Sequence, residues 1–232
     1  MKIMHKGSRF YNNQSEENQK KLEHMYEKQA MNEERLKESI VSHLSALNDG
    51  VVAIYITIMV LSIPYPQSRA DYSNFIWSIG TFIVSFFIIA DFWYENKRTF
   101  ETVKKASHGF VVMNFIYLAS LALIPVTTSW ILFERGNTFA EINFCIVYIL
   151  TLICQNMLRF FAIKHHFKHH YELFIKLIAR KALTMLFIAV VLIGLSICFP
   201  YWAVTFYILL PIVDFLIPED GKHRIIKKTM RK

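Results

Sequence analysis

The sequence predicts an all-α membrane protein in which each subunit crosses the bilayer six times, with both termini in the cytoplasm. Three observations predict it. Of the 232 residues, 54% are hydrophobic, and they lie in long runs separated by short polar stretches. Each run approaches the roughly 20 apolar residues that a helix needs to cross about 30 Å of hydrocarbon. Lys and Arg concentrate in alternate connections between the runs, as in a protein with one fixed orientation in a membrane.

A polar, mixed-charge extension, residues 1–42, precedes the first apolar run. Residues 14–40 contain no Gly or Pro and are rich in Glu, Lys and Gln, so we expect a cytoplasmic helix there. The extension has a partial apolar stripe, formed by Leu22, Met25, Leu36 and Ile40. A coiled coil is one interpretation of this stripe, but the heptads are few, and a solvated helix with local ion pairs is the simpler expectation.

Six apolar runs define the membrane domain, residues 43–218. Pro64 and Pro66 end the first run, and Pro218 closes the sixth, since Pro interrupts helices. The last two runs are joined by a very short turn and should form an antiparallel hairpin. The predicted spans are 43–63, 72–94, 110–131, 139–163, 182–199 and 201–217.

Basic residues set the orientation of these spans. The connections after spans two and four and the basic tail, residues 219–232, are rich in Lys and Arg, whereas the connections on the other side carry only Arg69 and Arg135. This bias predicts a multi-pass protein of the cell membrane with both termini inside. The same bias explains the net charge of +8, because the basic residues fix the orientation of the spans and contact lipid headgroups. Because no recognition motif accompanies the charge, we do not expect nucleic acid as a partner.

Motifs for catalysis are missing from the sequence. It has no Gly-rich phosphate loop, metalloprotease helix or nucleophile elbow, so we expect no enzyme, no catalytic residues and no cofactor. His166 and His170 have a spacing that can bind a metal on a helix, but only Glu172 accompanies them, and we expect a basic interfacial helix and no metal site. A secondary transporter stays an alternative because Pro211 lies inside span six.

Ionisable groups inside the spans are the candidate functional residues, since such groups are costly in lipid. Glu95, Arg159 and Asp214 lie near cytoplasmic ends of spans. Solvation is the simpler interpretation for Glu95 and Arg159, whereas for Asp214 solvation and a functional role stay equally open. Asp49 lies in the first turns of span one, directly after Asn48, and we expect it to make hydrogen bonds that hold this helix.

Span one also has one face of mixed character. Ile54, Thr57 and Leu61 follow the i, i+3, i+7 spacing, so they share a face of the helix. A single Thr between aliphatic residues is ambiguous, because its hydroxyl can bond its own backbone. The spacing alone does not decide whether this face lines a pore.

Residues 43–61 read HLSALNDGVVAIYITIMVL. This stretch resembles the first helix of bacterial members of the transmembrane protein 175 family, whose signature is Arg-x-x-x-Phe-Ser-Asp followed by Gly-Val-Phe-Ala-Ile-x-Ile-Thr. Trp93 and Phe100 resemble the family's Trp-x-x-His-His-x-x-Phe at the end of helix two, and residues 114–125 resemble part of its helix three. The similarity extends over residues 43–218. The resemblance implies an endolysosomal-type potassium channel fold.

Both family motifs are altered here. In helix one, the signature Arg, Phe, Ser and Asp correspond to His43, Leu47, Asn48 and Asp49. Only the Asp is therefore kept. In helix two, Trp93 is kept and the paired His are replaced by Asn96 and Lys97. The resemblance implies that these residues anchor helix one against its neighbours in an altered form. The pH response of this anchor would differ, because the charge of His43 is labile near neutrality.

The resemblance also implies a homotetramer in which helix one of each subunit surrounds a pore for monovalent cations, with potassium as the preferred permeant ion. Ile54 would form the constriction, Thr57 would contribute to selectivity, and Leu61 would form a second apolar layer. An aliphatic ring of this kind gates by wetting and dewetting. The expected partners are further copies of the chain and membrane lipids. A non-conducting scaffold of the same fold stays an alternative because the signature is altered.

Overall fold

The computed structural model describes residues 16–166 and, beyond them, positions 179, 183, 184, 186, 187, 190, 191, 193–195 and 197–199. Residues 16–166 form five α-helices and one short 3-10 helix, Arg69–Asp71, and contain no strand. The α-helices are α1 (Glu16–Leu61), α2 (Tyr72–Glu101), α3 (His108–Leu121), α4 (Leu123–Phe133) and α5 (Thr138–His166).

Four helical segments of the described residues are long and apolar enough to cross a membrane. They correspond to predicted spans one to four, which confirms an all-helical membrane protein for this part of the chain. Span six, the basic tail and His170 lie outside the described residues, and span five is described only at scattered positions. The four segments are Asn18–Leu61, Arg69–Glu101, His108–Phe133 and Thr138–Ile163.

Helix α1 joins the predicted extension and the first span without interruption. It runs for 46 residues, or about 69 Å at 1.5 Å per residue. The boundary between residues 42 and 43 is therefore a change of composition within one helix. The helix ends at Leu61, three residues before Pro64.

The third span differs from the expectation of one continuous helix. It is divided between α3 and α4 at Ala122. Pro125 explains the division, because its ring nitrogen cannot donate to the carbonyl of Leu121 and the ring crowds that carbonyl. The two halves still occupy one span together.

The centre of the bundle lies between α2, α3, α4 and α5. Tyr117, Ile124 and Leu158 are completely buried there, and Ile88 is 1% exposed. At one end of the bundle, α3 and α5 approach closely, since a Cβ atom on Gly109 would lie 2.9 Å from the ring of Phe161. We call this the basic end, because the connection between α2 and α3, with Lys104 and Lys105, lies there.

Candidate functional site

Helix α1 has an inner face that packs against the bundle and an outer face that does not. Leu44, Asn48, Val52 and Met59 are buried on the inner face at spacings of four and seven residues. Ile54, Thr57 and Leu61 are exposed on the opposite side, and we call them the outer face. The structure therefore presents all three predicted pore-lining residues away from the described helices of their own subunit.

The outer face combines bulky apolar side chains with one hydroxyl. The side chains of Ile54 and Leu61 are 56% and 80% exposed. Thr57 donates its hydroxyl hydrogen to the carbonyl of Ile54, at 2.8 Å. The hydroxyl oxygen keeps lone pairs that point away from this bond, so it can only accept or coordinate. This chemistry suits a cation or a water molecule.

A reciprocal amide pair holds α1 to α3. Asn48 Nδ2 donates to Asn114 Oδ1 at 2.8 Å, and Asn114 Nδ2 donates to Asn48 Oδ1 at 3.0 Å. The two residues are 2% and 0% exposed. Because both bonds lie in an apolar interior, neither amide has water as an alternative partner, and the pair fixes the position of α1 along α3.

Asp49 connects α1 to α2 beside this pair. Trp93 Nε1 donates to Asp49 Oδ1 at 2.8 Å, and Lys97 Nζ lies 2.5 Å from Asp49 Oδ2. Lys97 also donates to Ser45 Oγ at 3.0 Å. The carboxylate is thus bound on both oxygens by the two residues that the helix-two motif supplies. We call the Asn48–Asn114 pair and this Asp49 cluster together the anchor.

Two tyrosines extend the polar contacts deeper into the bundle. Tyr55 donates from α1 to the carbonyl of Leu118, at 3.0 Å. Tyr117 donates to the carbonyl of Phe92, at 3.0 Å, and Gln155 Nε2 donates to the same carbonyl at 3.2 Å. These bonds join α1, α2, α3 and α5 across a buried layer, so the inner face of α1 rests on a rigid support.

A buried ion pair lies next to the anchor at the basic end. Glu95 and Arg159 form a hydrogen-bonded ion pair between α2 and α5, with side chains only 9% and 12% exposed. Arg98 reaches the other oxygen of Glu95 at 3.3 Å. The expectation that Glu95 and Arg159 are solvated at the interface is wrong, because each finds its counter-charge on a neighbouring helix.

A cavity of about 350 Å³ lies at the opposite end of the bundle. The guanidinium of Arg135 stacks over the ring of Trp77 beside it, 4.5 Å from the ring centroid, and lies 3.4 Å from Asn74 Oδ1. None of the predicted site residues lines this cavity. It is therefore separate from the anchor and the outer face.

Residues 43–125 match the model of a known family. A sequence profile described as "Endosomal/lysosomal potassium channel TMEM175" matches residues 43–125, the stretch that contains the outer face and the α1, α2 and α3 parts of the anchor. Over this stretch the chain is similar to the TMEM175 family.

Relatives that are named potassium channels resemble the chain over differing lengths. A potassium channel of Chryseobacterium sp. is 28% identical over 201 residues, which are 80% of this chain and 97% of the relative. A potassium channel of Chamaesiphon minutus is 30% identical over 101 residues, which are 40% of this chain and 50% of the relative. The crystal structure of a lysosomal potassium-selective channel TMEM175 homolog from Chamaesiphon minutus has a TM-score of 0.61 and 23% identity, and it covers 76% of this chain and 96% of that chain. This structure has the same fold.

The residues at the TMEM175 motif positions differ in their burial and in their hydrogen-bond partners. Asn48, Asp49, Trp93 and Lys97 meet in the anchor, as described above. His43 and Leu47 lie on the exposed side of α1, and within residues 16–166 the imidazole of His43 has no hydrogen bond or ion pair. Asn96 is 3% exposed, and its Oδ1 atom has no hydrogen-bond partner among the described residues.

Two anchor residues were missed by the sequence analysis as members of the site. Asn114 belongs to the helix-three stretch that resembles the family, and Ser45 belongs to the helix-one stretch, but neither was assigned a contact. Asn114 carries a signal that could have identified it, because an amide inside an apolar span needs a partner. Ser45 carries none, since a Ser in a helix can bond its own backbone.

Proposed function

We propose that four copies of this chain surround a potassium-preferring cation pore that the outer faces of four α1 helices line. Ile54 forms the constriction of this pore, Thr57 lies next to it, and Leu61 forms a second apolar layer. The observation that carries the proposal is the difference between the two faces of α1. The polar groups of the anchor form hydrogen bonds on the inner face, whereas the positions that correspond to the family's pore residues are exposed on the outer face. Relatives of the chain are named potassium channels.

The outer side of α1 is also suited to close approach between helices. Ala46, Gly50 and Ala53 are exposed on it, at spacings of four and three residues, and Thr57 follows four residues later. Small residues let the backbones of membrane helices approach. Four helices related by a rotation axis can therefore pack tightly enough for the side chains of Ile54 to meet around that axis.

The mechanism follows from the chemistry of the constriction. A ring of four Ile side chains excludes water when it is narrow and admits a hydrated or partly hydrated cation when it widens. The Thr57 hydroxyl oxygens, one helical turn away, replace part of the hydration shell. The anchor sets the width, because it fixes each α1 against α2 and α3. In this arrangement both termini are cytoplasmic, and the protein is a multi-pass protein of the cell membrane.

The test is ion flux from purified protein in liposomes under a potassium gradient, repeated with sodium. Ile54→Asn should wet the constriction and increase the basal flux several-fold, with a smaller preference for potassium over sodium. Ile153→Asn is the matched control, because Ile153 is 50% exposed on α5 and lies outside the proposed pore. It should leave the flux at the wild-type level.

Three other outcomes would redirect the proposal. Equal flux from wild type and both variants would mean that Ile54 is not the constriction. Saturable transport coupled to a second ion would favour a secondary transporter. An absence of flux from folded tetramers of wild type and Ile54→Asn would favour a non-conducting scaffold.

A further inference from the structure

An eleven-residue repeat runs along the exposed side of α1 from its N-terminal half into the membrane. Met25, Leu36, Leu47 and Ile58 are each eleven residues apart, and their side chains are 66%, 61%, 43% and 48% exposed. Eleven residues make slightly more than three turns of an α-helix, so these four side chains lie close to one line. We call this line the eleven-residue seam.

A second set of exposed residues follows the same period. Asn32, His43 and Ile54 are also eleven residues apart, and each lies seven residues after a member of the eleven-residue seam. The combined spacing alternates between seven and four residues. This is the pattern of helices that associate with little or slightly right-handed supercoiling. The scarcity of heptads in the extension is thereby explained, because the repeat is eleven residues and not seven.

The geometry of α1 carries this face out of the membrane. Leu36 and Ile54 are 18 residues apart, which is five full turns, so they point in the same direction on a straight helix. The distance between them along the helix is about 27 Å at 1.5 Å per residue. Because α1 is one uninterrupted helix, a face that meets the pore axis at Ile54 is continuous with the face at Leu36.

Contacts on the other side of α1 hold its N-terminal half in this rotation. Lys105 Nζ lies 2.9 Å from Glu34 Oε1, and the backbone nitrogen of Ala106 donates to the carbonyl of Lys37 at 3.1 Å. Both partners belong to the connection between α2 and α3. The extension is thus attached to its own subunit through the side opposite Leu36, and the seam faces away.

We propose that the contact between copies of this chain continues along the eleven-residue seam, so that the N-terminal halves of four α1 helices form a parallel bundle outside the membrane. This proposal rests on the proposed tetrameric pore. The occupant of the exposed side of the extension is the same helix of another copy, since the seam is continuous with the face that the pore positions use. Asn32 provides a polar layer between the layers of Met25 and Leu36, and a buried Asn in such a layer selects the parallel register.

The test is cross-linking between copies in the full-length protein. The background is Cys198→Ser, because Cys198 is the exposed cysteine among the described residues, whereas Cys145 and Cys154 are buried. Leu36→Cys should form covalent dimers on oxidation and with a short bismaleimide. Glu38→Cys is the matched control, because residue 38 is exposed, two residues away and on the opposite side of the helix. It should stay monomeric on denaturing gels.

Native mass spectrometry of the same samples separates the two proposals. Tetramers with covalent dimers of Leu36→Cys and none of Glu38→Cys support the bundle. Tetramers in which Leu36→Cys gives no more product than Glu38→Cys would overturn the bundle and leave the pore intact. Samples without tetramers would overturn the pore itself. A spin label at residue 36 gives a second measurement, because intersubunit distances shorter than those from residue 38 are expected only for the bundle.

Discussion

The amide pair between Asn48 and Asn114 offers the sharpest test of how α1 is held. Asn48→Ala removes both hydrogen bonds and leaves the donor and the acceptor of Asn114 buried without partners. Such orphaned groups cost about 1–3 kcal/mol in proteins generally. Interhelical bonds in membranes average about 0.6 kcal/mol and reach about 1.7 kcal/mol. For two bonds between residues that are 2% and 0% exposed, we expect a loss of about 1–3 kcal/mol in the free energy of unfolding.

A double-mutant cycle isolates the bond energy from the loss of packing. Asn114→Ala alone should cost a similar amount, and the double variant should cost less than the sum, by about 1 kcal/mol. The assay is equilibrium unfolding in mixed detergent, followed by tryptophan fluorescence. Asn143→Ala is the control, since this amide donates at 2.8 Å to the carbonyl of Phe139 in its own helix, and its loss should stay within about 0.5 kcal/mol.

Strict additivity of the two substitutions would refute the reasoning. It would mean that the amides do not bond to each other, so that α1 would be positioned by the Asp49 cluster alone. Potassium flux from Asn48→Ala gives an independent measurement. If the anchor sets the width of the proposed pore, the flux should change even where the tetramer remains assembled.

Two further predictions concern charged pairs at the basic end. The hydrogen bond and the charge of Lys105 lower the pKa of Glu34 below 4.5, so the contribution of this pair is present above pH 4.5 and is lost as the pH falls through the lowered pKa. The protection factor of the Ala106 amide against hydrogen exchange should fall in that acid range, and Lys105→Met should remove the pH dependence. Arg159→Met removes the nearer counter-charge of the Glu95 carboxylate and leaves only the more distant Arg98. It should lower the free energy of unfolding by about 3 kcal/mol, and adding Glu95→Gln should recover most of that loss. A cost below about 1 kcal/mol in the same unfolding assay would contradict the assignment of a buried pair.

Hydropathy predicted the first four spans because the ability of a segment to cross a membrane depends on the composition of that segment alone. Each span must satisfy its own backbone in hydrocarbon, so the length and composition of one run suffice. The end of α1 before Pro64 was predicted because Pro interrupts helices, which is also a local property. The division at Ala122 was missed, although Pro125 signalled it, because the adjoining residues are apolar on both sides and the run looks continuous.

The contacts of the anchor could be predicted only in part. Asn48 and Asp49 were identified because polar groups at the start of a span need partners, and Trp93 and Lys97 because they occupy a motif. The pairing of Asp49 with Lys97 joins residues 48 positions apart, and this depends on how α1 lies against α2. Glu95 and Arg159 were assigned to solvent because sequence position shows the depth of a side chain but not the neighbour it faces.

The wide separation of Asn48 and Asn114 along the chain has a consequence for biogenesis. The ribosome makes Asn48 66 residues before Asn114, so the first span enters the membrane while its amide partner does not yet exist. Charged groups such as the Asp49 carboxylate disfavour insertion by up to about 2.5–3.5 kcal/mol at the centre of a span and by less near its end. We therefore expect the first span to be held weakly by lipid at this stage and to settle only when the third span arrives. The helix assigned to the pore is then synthesised before its partners and is among the last to reach its final place.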